Sequence, residues 1–190
     1  MKKAILIGAC LGLVLAAIAV RWAIISPAKV ARHNLAAINS ISAGETTEAQ
    51  LLQRKEFQTM PRTCIQESCV YHLEARNALL SALHLAPRTY IATAVTVRDG
   101  LVTDVVVFSY REGVRTVIIK QLSHLPEDCS ADPCVRMPRP NSLAGIMVLF
   151  DNKSDLRNHL PEALNVDCLS QWHGCKDYAD FVPLLRKLEI

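Results

Sequence analysis

A chain of 190 residues is long enough for one ordinary domain and a short appendage. Apolar residues make up 51% of it, which excludes a wholly disordered chain. Of the 21 Lys and Arg residues, three lie in the first 25 positions, and the other 18 balance the 18 Asp and Glu residues. A globular part without net charge lacks the basic surface that nucleic-acid binding requires, so we exclude nucleic acid as a main partner.

The N-terminus has the pattern of an export signal or a membrane anchor. Lys2 and Lys3 precede an uncharged apolar run, Ala4 to Val20, and the apolar character resumes after Arg21 as far as Ile25. At about 1.5 Å per residue, a helix over residues 4–25 would cross a hydrocarbon core of about 30 Å. Residues 1–25 are therefore predicted to be an uncleaved signal anchor, with the rest of the chain outside the cytoplasm.

Two alternatives use the same segment. Ala17-Ile18-Ala19 matches a signal-peptidase site, and cleavage there would release a soluble exported protein. Cys10 could instead carry a lipid, although the apolar run before it is short for a signal. Arg21 and Trp22 favour the anchor, because basic and aromatic residues are typical of membrane interfaces.

After the anchor, residues 26–46 are interpreted as a tether, helical after Pro27 at a first-turn position, and residues 47–190 as the folded domain. Thr47-x-x-Gln50 has the form of a capping box that opens a helix to about Gln58. A second helix is predicted from about Glu67 to Leu85, although its first turns alternate like a strand.

Four β-rich runs predict the centre of the domain: residues 89–98, 101–110, 114–122 and 143–150. Asp99-Gly100 and Glu112-Gly113 supply hairpin turns between the first three. We therefore expect an α+β fold in which an antiparallel β-meander of about four strands packs with helices. Helices are also expected after Ser154, from about Leu164 to Trp172 and from about Asp177 to Leu188.

The second β-rich run is apolar on both sides. Simple alternation groups its residues as Val102, Val106, Phe108 and Tyr110 on one face and Leu101, Val105 and Val107 on the other. Two apolar faces predict an interior strand. Val106→Asp would then be strongly destabilising, because it would bury an unpaired charge.

Apart from Cys10, the cysteines form three pairs that are local in sequence: Cys64/Cys69, Cys129/Cys134 and Cys168/Cys175. With an export-type N-terminus, this pattern favours structural disulfides in an oxidising, extracytoplasmic compartment. A regular helix separates residues five apart by about 7.5 Å along its axis, so the first two pairs must lie in turns or at helix ends. Pro133 and Gly174 indicate such turns in the second and third pairs.

Zinc and thiol exchange are the rival uses of these cysteines. Cys64 and Cys69 with His72 would form one half-site, and Cys168 and Cys175 with His173 another, but neither contains a C-x-x-C knuckle. Thiol–disulfide exchange usually needs C-x-x-C at a helix N-terminus. We expect no metal and no cofactor.

Catalytic signatures are weak. Ser26-Pro27-Ala28-Lys29 matches the S-x-x-K acylation pattern, but it lies at the membrane edge without companion motifs. Asp104, with Glu112 nearby in the sequence, is either a catalytic pair or a solvent-side strand position. His72 and His84 would share a helix face and are interpreted, like the other histidines, as structural.

The sequence therefore favours a membrane-tethered extracytoplasmic domain with a binding or structural interaction role. Its expected partners are the membrane, through the N-terminal helix, and envelope or membrane proteins. The loop Ser130–Asn141, with Arg136 and Arg139, is the candidate contact surface, because a short disulfide and two prolines would preorganise it. The alternatives are an exported hydrolase-type enzyme built from scattered polar residues, or a redox or zinc protein that uses the cysteine pairs.

Overall fold

The computed structural model describes residues 2–112, 114–137, 145–154, 164–171, 174–175 and 178–183. Within these ranges the chain is α+β, with one mixed seven-stranded sheet, helices against one face of it and an apolar helix at the N-terminus. The fold class agrees with the sequence prediction. The number of strands and the purely antiparallel pairing do not.

The first helix, α1, is Lys2–Asn39 and continues through Pro27. Proline has no N–H, so the carbonyl of Ala23, four residues earlier, loses its helical donor. The Ser26 hydroxyl takes this place and donates to the Ala23 carbonyl oxygen at 3.4 Å. Pro27 therefore lies inside one long helix instead of starting a new one.

The two halves of α1 have different surroundings. Large apolar side chains are exposed from Leu11 to Trp22, whereas the buried residues of the second half include Ala28, Ala31, Leu35 and Ile38. Their spacing of three, four and three places them on one stripe of the helix. The structure thus differs from the predicted tether, because Ala31, Leu35 and Ile38 of this stripe belong to the hydrophobic core together with Ile41.

The sheet has the strand order β1-β2-β3-β4-β5-β7-β6. The strands are β1 Arg62–Ile65, β2 Ser68–Arg76, β3 Thr89–Arg98, β4 Leu101–Arg111, β5 Val114–Leu122, β6 Cys134–Arg136 and β7 Ile146–Asp151. The first five pair antiparallel in chain order, so β4 is interior, as predicted. β7 pairs parallel with β5, which the long connection of residues 123–145 permits, and β6 pairs with β7 at the edge of the sheet.

A β-bulge in β4 changes which side chains share a face. Thr96 pairs with Asp104 but Val97 pairs with Val102, which leaves Thr103 as the extra residue. Val102, Val105 and Val107 are consequently all buried on one face, and Val106 faces the other way. The predicted grouping of Val102 with Val106 is wrong, because strict alternation cannot anticipate a bulge.

The helix predicted from Glu67 to Leu85 is also wrong over most of its length. Residues 68–76 form β2, which pairs with β3 from Ser68↔Arg98 to Arg76↔Tyr90. Only the short helix α4, Ala78–Ala82, remains helical. His72 and His84 therefore do not share a helix face.

The remaining helices are short. The Thr47/Gln50 capping box is present and opens α2, Glu48–Leu52, but a separate helix, α3, covers Lys55–Gln58. A 3₁₀ helix, η1, covers Val166–Ser170, and α5 covers Tyr178–Phe181. The helix expected after Ser154, the position of Trp172 and the end of the chain after Pro183 lie outside the described residues.

The two faces of the sheet have different neighbours. The inner face carries Val95, Val107, Ile119 and Val148, which join one hydrophobic cluster with residues of α1, η1 and α5: Leu35, Ile38, Val166, Leu169 and Phe181. The outer face carries the alternate side chains of the same strands. Within the described ranges, the helices that contact the sheet contribute to the inner-face cluster.

Candidate binding surface

The three predicted cysteine pairs lie at disulfide distance. The Cα–Cα separations are 4.0 Å for Cys64–Cys69, 5.5 Å for Cys129–Cys134 and 4.8 Å for Cys168–Cys175. The first pair faces across the β1–β2 hairpin, since Cys64 and Cys69 are register partners. The third joins η1 to the turn at Gly174, whose φ of +63° is accessible to glycine without strain. Each pair therefore closes a turn or a helix end.

The Cys129–Cys134 turn leads directly into the edge strand β6. Asp132-Pro133 is a cis peptide, and Cys134 and Arg136 pair in register with Leu149 and Met147 of β7. Arg136 Nη2 donates to Asp128 Oδ1 across the turn, with both side chains exposed. An exposed ion pair of this kind contributes little to stability. Arg139, the second predicted contact residue, lies outside the described residues.

The outer face of the sheet continues from this edge. One cross-strand row runs from Glu74 through Ala92, Phe108, Ile118 and Met147 to Arg136. The three large apolar members of the row are half-buried, although none belongs to the inner-face cluster. Phe108 also makes an edge-on ring contact with His72, with centroids 6.3 Å apart. The described part of the contact loop, which ends at Met137, and the outer face thus form one continuous surface, which we call the outer surface.

On the outer surface, Asp104 is paired locally with a lysine and two hydroxyls. Asp104 lies 3.4 Å from the Lys120 ammonium and accepts hydrogen bonds of 3.2 Å from the hydroxyls of Thr96 and Thr103. Glu112 lies beyond the opposite end of β4, eight residues further on. At about 3.3 Å per residue, this separation excludes a catalytic pair with Asp104.

A second polar cluster is buried on the other side of the sheet. Tyr71 is almost fully buried, and its hydroxyl donates to Glu48 Oε1 at 2.6 Å, which ties β2 to the start of α2. Burial raises the pKa of Tyr71, and the hydrogen bond to Glu48 raises it further, although Arg62 nearby opposes the shift. A tyrosine held neutral in this way is a structural donor.

The other predicted site residues do not converge. Ser26 donates to the backbone within α1, and Lys29 is exposed on the same helix. His33 lies 3.9 Å from Glu56, and His84 follows α4 with a positive φ of 54°. In the described part of the chain, no three His, Cys, Asp or Glu side chains are grouped to hold a metal ion. His173 and His159 are outside that part.

Two structural residues were missed by sequence reasoning. Arg54 donates to the Ala37 and Ser40 carbonyl oxygens at 3.2 and 3.1 Å, so it satisfies the C-terminal end of α1. The Asn77 side chain donates to the Pro87 carbonyl oxygen and accepts from the Thr89 N–H, so it closes the segment that contains α4. Neither stands out in the sequence, because each bond joins residues that only the fold brings together.

Comparison with protein families, curated proteins and solved structures finds no match to this chain. Its possible function therefore has to be argued from its own residues.

Proposed function

We propose that the protein is a single-pass membrane protein whose extracytoplasmic, disulfide-containing domain binds another envelope or membrane protein. The observation that carries this proposal is the division of α1. Its exposed first half is apolar and long enough to cross a bilayer, while its second half is part of the domain core. Exposed apolar surface on this scale needs a lipid or protein environment.

The three cysteine pairs support the extracytoplasmic location. Local disulfides persist in oxidising compartments and are rare in the cytosol. The domain that they close begins where the exposed part of α1 ends, so an export-type anchor and an oxidised domain are consistent with one topology.

The outer surface is the proposed partner site. It combines half-buried Phe108, Ile118 and Met147 with Arg136 at one end, a composition typical of protein interfaces. The Cys129–Cys134 closure limits the entropy that the neighbouring loop loses on binding.

The membrane topology is tested first. In right-side-out membrane vesicles, the protein should resist alkaline carbonate extraction, and protease added outside should degrade the domain. Recovery of a soluble form that begins at Val20 would contradict the anchor and favour the cleaved signal.

The partner site is tested by photocrosslinking in native membranes. A crosslinking amino acid at Met147 should capture a discrete protein, and Arg136→Ala should reduce that product several-fold. The same amino acid at Gln53, exposed after α2, is the matched control and should capture none. Identical products from both positions would contradict a specific outer surface.

A further inference from the structure

One end of the sheet lies at the level where α1 leaves the domain. β2 ends at Arg76, β3 begins at Thr89 and β4 ends at Arg111, so these three residues lie at the same end of their strands. We call this end of the sheet the proximal edge. The segment from Ser170 to Gly174 contacts both α1 and this edge. The Ser170 hydroxyl donates to the Ile25 carbonyl oxygen at 3.4 Å, and Gly174 lies against Pro87 and Thr89.

A closed loop projects from the proximal edge. It runs from Asn77 to Arg88, contains α4, and is called the α4 loop. Asn77 Nδ2 donates to the Pro87 carbonyl at 3.0 Å, and Asn77 Oδ1 accepts from the Thr89 N–H at 2.9 Å. Leu80, which is buried, anchors the loop from within. The loop is therefore held in one conformation at its base.

The surface of this loop is both apolar and basic. Leu83 is 54% exposed. Arg76 and Arg88, at the two ends of the loop, are exposed, and so are Arg21 and Lys29 on α1. Within the described ranges none of these four cations has an ion pair. Two exposed acids lie near these cations: Glu112, whose backbone N–H donates to the Arg88 carbonyl, and Glu74, two residues before Arg76 on the same face of β2. The four cations outnumber these two acids.

A groove beside α1 has the same character. It has a volume of about 360 Å³ and is lined by Trp22 and Ile25 together with Arg21 and Lys29. Aromatic and basic side chains in this arrangement are typical of the boundary between lipid headgroups and acyl chains.

We propose that the α4 loop and the proximal edge bind anionic phospholipid in the membrane that α1 spans. Leu83 inserts at the headgroup level, and Arg76 and Arg88 contact lipid phosphates. This inference rests on the proposed membrane topology. The occupant is lipid because α1 is continuous from the exposed apolar half into the core, which leaves no slack between the span and this edge. Unpaired cations beside an exposed leucine match an anionic, partly apolar layer.

The experiment uses the full chain, with Cys10→Ala, reconstituted in two kinds of vesicle. One contains phosphatidylcholine alone, and the other contains phosphatidylcholine and phosphatidylglycerol in equal parts. An environment-sensitive fluorophore is attached at Leu83→Cys. In the anionic vesicles its emission should shift to the blue and become several-fold brighter, and headgroup-labelled quenching lipids should reduce it. The same label at Ile65→Cys, exposed on the distant β1–β2 hairpin, should report water.

Charge variants separate lipid recognition from general proximity. Arg76→Ala/Arg88→Ala should lower the emission in anionic vesicles to its value in phosphatidylcholine. The matched variant Lys55→Ala/Arg98→Ala, which removes two exposed cations away from this edge, should leave it unchanged. Unchanged melting temperatures would show that both variants fold.

Three results would overturn the proposal. Equal emission in the two kinds of vesicle would exclude anionic recognition, and water-like emission at Leu83 in a carbonate-resistant protein would exclude insertion. The third result, release of the protein by alkaline carbonate, would contradict the membrane span itself and the inference with it.

Discussion

At the scale of single residues, one partly buried hydrogen bond joins the helical and the sheet parts of the domain. The Tyr71 hydroxyl reaches Glu48 from the inner side of β2, and the Tyr71 ring meets Phe57 of α3 edge-on, with centroids 6.2 Å apart. A hydrogen bond to a carboxylate is worth more than a neutral one, since one partner is charged. Tyr71 thus fixes α2 and α3 against the sheet.

Tyr71→Phe should lower the free energy of unfolding by about 1.5–3 kcal/mol at neutral pH, because the Glu48 carboxylate loses its donor. The pKa of Tyr71 is raised in the folded state, so its contribution is complete below the unfolded value of about 10 and is lost as pH rises through the folded pKa. The difference between wild type and variant should therefore shrink only above about pH 10. Urea unfolding across this range measures it, and a constant difference would contradict the assignment.

The register of β4 predicts that the same substitution at two neighbouring valines lowers stability by very different amounts. Val107→Asp places a charge on the inner face, where Val107 is 2% exposed, and should cost about 3–5 kcal/mol. Val106→Asp, first expected to be severe, should cost much less, because Val106 is opposite Lys120 on the outer face. Thermal melting of the two variants decides, and equal losses would contradict the described register.

At the scale of elements, the sequence predicted those parts whose signals are local. Asp99-Gly100 and the apolar runs were sufficient for the β3–β4 hairpin, and Thr47 and Gln50 for the start of α2. The β2 strand was missed because its alternation competes with helical spacing of leucines, and pairing with β3 decides the outcome. The spacing of Ala28, Ala31, Leu35 and Ile38 was present in the sequence, but small residues hid it.

The candidate surface was only partly predictable. The Cys129–Cys134 turn and Arg136 were identified because a short cysteine spacing is visible in the chain. The row from Phe108 to Met147 could not be, since it depends on a parallel crossover and on a bulge. The role of Asn77 could not be predicted either, because its side chain bonds to the backbone of Thr89, twelve residues further along the chain.

The cysteine pairs give a prediction at this scale. Non-reducing peptide mapping should recover 64–69, 129–134 and 168–175, because only these partners lie at disulfide distance. Replacing Cys129 and Cys134 together by alanine should cost about 2 kcal/mol, the closure entropy of a short loop. Free thiols at all six positions would contradict both the pairing and the oxidising compartment.

Gly44 connects the end of α1 to the sheet and predicts a specific rescue. Its φ is +82°, and an added Cβ would lie 2.7 Å from the Ser123 Cβ. Gly44→Ala should therefore cost more than about 1 kcal/mol. Adding Ser123→Gly should recover part of the loss by removing the clash but not the backbone strain. Melting of the single and double variants tests this, and no recovery would exclude the contact.

At the scale of the whole molecule, α1 couples the proposed span to the domain. Inserting Gly-Ser-Gly-Ser between Ile25 and Ser26 should separate the two without unfolding the domain, because Ser26 can cap and Pro27 can begin the remaining helix. We expect an unchanged melting temperature but a large loss of the Leu83 lipid signal. A retained signal would mean that the α4 loop reaches the membrane without help from the helix.

The packing of α1 along the strands also determines the direction in which the outer surface points. The helix passes from the Thr89–Arg111 end of the sheet, near Ile25, to the opposite end, where the Gly44 N–H donates to the Val102 carbonyl at 2.7 Å. Because the strands run alongside α1, the outer face of the sheet points away from the helix axis and, if α1 crosses the membrane, roughly parallel to the membrane plane. On the proposed topology, a membrane-bound partner would reach the outer surface by diffusion within the plane of the bilayer. A soluble partner would have to approach it along the membrane surface.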